Sequence, residues 1–126
     1  MAAQDESLTP EQRSVAFSTR GDANDEAGDV TAALRDYGSA LELDDENPAA
    51  LLGRGRILLA SGQLDAAEPV LRQTIELNDS GQAHELMGQI MIRRGEFSEA
   101  ITFFNTALDH EPRSAQALAG RARAKQ

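Results

Sequence analysis

The chain has 126 residues, a formal net charge of -9 and no cysteine. It is the size of one domain, and disulfides, thiolate chemistry and cysteine-based zinc sites are excluded. Residues 1–47 carry 12 acidic and 3 basic side chains, whereas residues 48–126 carry 9 of each. Such an acidic surface argues against nucleic acid as a partner, because phosphates need a basic footprint. No apolar run approaches the roughly 20 residues of a membrane span. The start MAAQDESLTP has neither the basic residues nor the apolar run of a signal peptide, so a soluble, cytoplasmic chain without a membrane span is expected.

Residues 1–8 read as a flexible N-terminal tail. Thr9 then supplies an N-cap, Pro10 sits in the first turn and Gln12 completes a capping box. Along the rest of the chain one unit recurs. AGDVTAALRDYGSALELDD (27–45), SGQLDAAEPVLRQTIELND (61–79) and RGEFSEAITFFNTALDHEP (94–112) align without gaps. Gly21, Gly55 and Gly88 stand 34 and then 33 residues apart. The same intervals separate Gly28, Gly62 and Gly95, then Ala33, Ala67 and Ala100, then Tyr37, Leu71 and Phe104, and finally Ala40, Thr74 and Ala107. A fixed period of this length is the signature of a repeat architecture.

Each column has a physical reason. Gly28, Gly62 and Gly95 follow one helical pattern and precede another, the place of a left-handed residue that ends a helix. Gly21, Gly55 and Gly88 fall inside helices, where Gly costs about 1 kcal/mol against Ala. That cost at one position in every unit implies a close helix approach, with Ala33, Ala67 and Ala100 as the small surfaces opposite. Tyr37, Leu71 and Phe104 are expected to fill the gap to the neighbouring unit. Ala100, Ile101, Phe104, Ala107 and Leu108 form one apolar helical face, so each unit reads as helix, turn, helix. Residues 115–126 supply one final helix with a basic end, Arg121, Arg123 and Lys125.

The order Phe17, Gly21, Gly28, Ala33, Tyr37, Ala40, repeated twice more and closed by Pro112, resembles the tetratricopeptide repeat. The resemblance implies an all-α right-handed α-solenoid of three helix-turn-helix units, about 14–47, 48–80 and 81–114, with a C-terminal capping helix at 115–126. A single domain over 9–126 is the expected organisation. Arg20 and Arg54 depart from the family's usual Leu, Asn24 stands where a large residue is usual, and Asp45 and Asp79 replace a usual Pro. One residue is missing from the link near Ser80.

Nothing in the chain points to catalysis. His84 aligns with Phe17 and Leu51 and reads as a packing residue; His110 sits at a helix end, where a cation is favourable. Neither has a Ser nucleophile at a recognised spacing. The glycines follow the repeat period rather than a phosphate loop. DANDEAGD (22–29) lacks the Gly and Glu that a calcium loop needs at its sixth and twelfth places. No enzyme activity, cofactor or metal is expected. The resemblance instead implies a concave groove lined by the first helix of each unit. Its family positions fall on Ser18, Asp22 and Asp25, on Leu52, Arg56 and Leu59, on Glu85, Gln89, Ile92 and Arg93, and on Arg123 in the last helix. Leu52, Leu59 and Ile92 are expected to be exposed apolar contacts. The expected function is a non-catalytic adaptor or scaffold that binds a peptide or helix of a partner protein there. The alternatives are a self-associating module, which makes a homo-oligomer possible, and a repeat domain of a larger protein. Relatives that hold chaperone tails use Lys and Asn where this chain has Ser18 and Asp22, which argues against that activity.

Overall fold

A computed structural model describes residues 7–126, which form seven helices and no strand. They are α1 (Pro10–Glu26), α2 (Val30–Leu43), α3 (Pro48–Ala60), α4 (Leu64–Leu77), α5 (Gly81–Arg93), α6 (Phe97–His110) and α7 (Ala115–Ala124). The expected all-α organisation is therefore present, with α3 starting at Pro48, α5 at Gly81 and α7 at Ala115. Most of the proposed N-terminal tail lies outside the described residues. The chain divides into two compact units, Met1–Ile57 and Leu58–Gln126, with the division falling inside α3.

The turns follow from side-chain chemistry. Thr9 accepts from the Gln12 amide while the Gln12 side chain accepts from the Thr9 amide, closing the capping box that the sequence predicts. Asp29, Ser80 and Ser114 cap α2, α5 and α7, each accepting from the amide three residues on. Asn47 does the same for Ala50 in α3. Gly28, Gly62 and Gly95 have φ of 86°, 81° and 75°. Each lies between paired reverse hydrogen bonds, such as Asp29 N to Asn24 O at 2.8 Å and Gly28 N to Asp25 O at 3.0 Å. That is the glycine-terminated helix end expected from the sequence.

In unit 1, Ala33, Tyr37, Ala40, Ala50 and Ile57 form the buried core, with Phe17 and Leu41 packed against it. The Tyr37 ring is held between two glycines. A Cβ on Gly21 would stand 2.8 Å from its Cε1, and one on Gly53 would stand 2.3 Å from its Cζ. Unit 2 repeats the arrangement with Phe104. A Cβ on Gly88 would lie 2.7 Å from Cε1, and one on Gly120 would lie 2.4 Å from Cζ. Gly21 and Gly88 therefore face the ring of the following helix, and Gly53 and Gly120 the ring of the preceding one; Ala33 and Ala100 are buried but are not what Gly21 and Gly88 accommodate. The expected pairing of Gly with Ala is corrected, because the ring needs more room than any side chain on the first helix leaves.

Unit 1 also explains two departures from the repeat pattern. Arg20 Nη2 and Nε donate to the Asp36 carboxylate at 2.6 Å and 3.0 Å, and Asn24 Nδ2 donates to Asp36 Oδ2 at 2.8 Å. The Arg20 guanidinium also lies over the Phe17 ring, 5.2 Å from its centroid. Arg20, Asn24 and the buried Asp36 thus form a polar joint between α1 and α2 where hydrocarbon would otherwise pack. The pairing holds the Arg20 guanidinium above its ordinary range, with the hydrogen bond to Asp36 as the main cause. A further buried network runs from Asn47 Nδ2 to Ser14 Oγ (2.9 Å) and Ser18 Oγ (3.2 Å), and from Ser14 Oγ to the Ala40 carbonyl (2.7 Å). These groups satisfy one another, as buried polar atoms must.

Candidate functional site

The groove positions of unit 1 lie on α1 and α3. Periodicity places Ser18, Asp22 and Asp25 on one side of α1, but the structure assigns them different work. Ser18 is buried, accepts from Asn47 and donates to the Val15 carbonyl at 3.0 Å. The expectation that it is available to a ligand is corrected: the buried network consumes its hydroxyl. Asp22 accepts the Tyr37 hydroxyl at 2.5 Å. Burial, then this hydrogen bond, pushes the Tyr37 phenol above its ordinary range, so it stays a donor. Asp25 accepts from Arg56 Nη2 at 2.9 Å and Nε at 3.2 Å, which ties α1 to α3. Leu52 is half-buried. Asp29, the last acid of DANDEAGD, is committed to the α2 cap.

In unit 2 the positions lie mainly on α5, the most enclosed helix. Glu85 is buried and accepts from Gln89 Nε2 at 2.5 Å. Burial raises its carboxyl above the ordinary range, and the Gln89 hydrogen bond opposes that only in part. Ile92 is half-buried, and Arg93 is exposed, with Nη1 donating to the Leu59 carbonyl at 2.8 Å. Leu59 itself is 2% exposed. The expectation that it offers a free apolar surface is corrected: it is a core residue, and only its carbonyl meets a groove candidate. Arg123 is exposed on α7.

Sequence reasoning missed the groups that fix these side chains. Tyr37, Ser14 and Asn47 orient Asp22 and Ser18, and only Tyr37 stood out as a repeat position. Arg94 pairs with Asp65 at 2.6 Å and with Glu68, which also accepts from Arg72 at 2.8 Å. Arg94, then Arg72, holds the Glu68 carboxyl below its ordinary range. The α5 column with one exposed edge explains why Gln82, Gln89, Ile92 and Arg93 are what a second molecule can reach on that helix, while Ala83, Leu86, Met87, Ile90 and Met91 are buried.

The repeat geometry and the comparisons with known proteins agree. A family model described as tetratricopeptide repeat matches residues 26–90. The chain belongs to the tetratricopeptide repeat family. It is similar to DnaJ homolog subfamily C member 3 of Gallus gallus, 30% identical over 86 residues, which is 68% of this chain and 17% of that protein. The chain thus spans about one sixth of the length of that relative. Among solved structures, the Arabidopsis OM64 TPR domain superposes with a TM-score of 0.84 at 20% identity, covering 92% of this chain and 97% of the other. The first TPR of Spaghetti (RPAP3), bound to the HSP90 peptide SRMEEVD, superposes with a TM-score of 0.84 at 19% identity and 94% coverage of each chain. These similarities establish the all-α tetratricopeptide fold, generally a protein-interaction module. Among the described residues no helix is long and apolar enough to cross a membrane.

Proposed function

We propose that the chain is a non-catalytic adaptor that holds a peptide or short helix of another protein against the first helices of its repeats. One observation carries the reading. On α5 the reachable side chains Gln89, Ile92 and Arg93 are among the groove positions that the family resemblance implies, and the rest of the helix is largely buried. Ile92 offers a half-buried apolar contact, flanked by a guanidinium and an amide. That is the mixture of apolar anchor and orienting polar groups that peptide recognition uses.

The charges specify the ligand class. On unit 1, Asp25 and Glu26 are partly or fully exposed on α1, and the Arg56 guanidinium is already engaged by Asp25. This surface favours a basic side chain. On unit 2, Ile92 and Arg93 favour an apolar residue next to an acidic one. The peptide SRMEEVD held by the RPAP3 neighbour is rich in carboxylates. Asp22 and Asp25 would repel such a peptide at α1, so a different sequence class is expected here.

The test is peptide selection from a random display library, with the wild type as bait and an Ile92→Asp, Arg93→Glu variant for counter-selection. Enrichment of peptides that place an acidic residue beside an apolar one, lost on the variant, supports the reading. Equal enrichment on both baits, or capture of the chain's own segments only, overturns it. SRMEEVD serves as a control, and saturable binding would refute the charge argument.

A further inference from the structure

The chain's two histidines come together with one carboxylate. Asp79 lies in the link between α4 and α5, His84 in the first turn of α5, and His110 at the last residue of α6. One ligand atom from each falls within 4.8 Å of the others. Asp79 bridges the imidazoles: Oδ1 is 3.3 Å from His84 Nδ1 and Oδ2 is 3.3 Å from His110 Nε2. The rings stack with centroids 5.8 Å apart and 25° between their planes. We propose that Asp79, His84 and His110 form a binding site for a divalent transition-metal ion of the zinc class.

Four observations lead there. First, the donor set suits such an ion: two imidazoles and a carboxylate favour zinc, nickel or copper over calcium and magnesium, which take all-oxygen sites. Second, the spacing fits. Bonds of about 2.0–2.1 Å in a tetrahedron place neighbouring ligand atoms about 3.3–3.4 Å apart. The Asp79 Oδ1–His84 Nδ1 separation matches that edge, whereas His110 Nε2 stands 3.3 Å from the other carboxylate oxygen. The remaining edges close by movement of His110 and Asp79, both exposed, against a buried His84.

Third, the residues stand where the repeat otherwise uses hydrocarbon. His84 shares its column with Phe17, Leu51 and Leu118, and His110 shares its column with Leu43 and Leu77. Two columns that are apolar in the other repeats both become imidazole in this one, beside an acid. Fourth, the backbone is shaped to bring them together. A Cβ on Gly81 would lie 3.0 Å from His110 Cβ and 3.1 Å from the Ala107 carbonyl oxygen, so α5 starts directly against the end of α6. That end also carries the free carbonyls that favour a cation.

The site has a built-in cost. His84 Nδ1 lies 2.9 Å from the Ser80 carbonyl oxygen. Without metal, Nδ1–H donates to that oxygen. An ion bound at Nδ1 takes the lone pair, the proton resides on Nε2 and the carbonyl loses its donor. Three protein ligands also leave a coordination position for water or for a donor from a partner.

The experiment is calorimetric titration of the full chain with zinc chloride and with nickel chloride, accompanied by histidine side-chain NMR. One saturable equivalent is expected, with shifts at both imidazoles. Affinity should fall by more than about tenfold in Asp79→Asn and in His110→Gln, both exposed substitutions. His84→Leu places its column's own apolar residue in α5, and it should bind no metal while circular dichroism stays helical. Absence of saturable binding, or equal binding in wild type and the Asp79 and His110 variants, would overturn the proposal and leave only a hydrogen-bonded cluster.

Discussion

The glycine clamp on Phe104 makes a quantitative prediction. In Gly88→Ala the new Cβ would stand 2.7 Å from two ring carbons and 2.9 Å from a third, whereas carbons in contact settle at about 3.5–4.0 Å. The ring must withdraw by about 1 Å to reach that spacing. Its escape is limited, since Gly120 crowds the same Cε1–Cζ edge, where a Cβ would stand 2.4 Å from Cζ and 2.5 Å from Cε1. Overpacking of this kind costs about 1–3 kcal/mol, and the better helix propensity of Ala returns about 1 kcal/mol at most. A net loss of up to about 2 kcal/mol follows, or up to roughly 16 °C in the melting temperature of a unit this small. Phe104→Leu should remove the conflict. Alone it costs about 1–2 kcal/mol for the lost ring surface; combined with Gly88→Ala, the losses should be sub-additive by at least about 1 kcal/mol. Urea melts followed by far-UV circular dichroism, with hydrogen exchange at α5 and α6 amides, measure the cycle. Strict additivity, or a Gly88→Ala chain more stable than wild type, would show that the ring does not occupy the glycine's space.

Three further expectations rest on other contacts. Arg20→Met leaves the buried Asp36 carboxylate with Asn24 alone. It should cost toward the low end of the about 3–5 kcal/mol seen for stranded buried charges, because Arg20 is itself partly solvated. Arg20→Met with Asp36→Leu should recover most of that loss, and denaturation midpoints decide. The two perturbed carboxylates of unit 2 should respond to pH with opposite sign. Glu85 has a raised folded-state value, so its ionisation opposes folding above the ordinary glutamate range; Glu85→Gln should stabilise the chain at neutral pH, with the gain vanishing as pH falls below that range. Glu68 has a lowered value, so its stabilisation is present above the ordinary glutamate range and is lost as pH falls through the folded-state value; Glu68→Gln should destabilise at neutral pH and converge with wild type in acid. Stability measured across pH for the two variants checks both signs. Finally, Leu59→Asp should unfold or severely destabilise unit 2, whereas Ile92→Asp should leave its melt nearly unchanged, because only the first buries a charge without a partner.

The sequence alone determined the repeat unit. Period, turn glycines and caps are local properties: φ near +80° at Gly28 requires glycine, and Thr9 with Gln12 closes a capping box within four residues of chain. The apolar columns were equally legible, since Tyr37, Leu71 and Phe104 recur at the repeat spacing and are all buried. Only the tertiary structure decided which residue fills which space. Gly21 and Gly88 announced close approaches, but that each receives a ring, shared with Gly53 and Gly120 respectively, depends on how the helices cross. The candidate site diverges for the same reason. A family position marks a direction on a helix, not a degree of burial, so Ser18 and Leu59 proved enclosed while Ile92 stayed reachable. The joining of Arg20 with Asp36, of Asp25 with Arg56 and of His84 with His110 spans 16, 31 and 26 residues of chain. No periodicity encodes those partnerships, because they arise where two helices from different parts of the sequence meet.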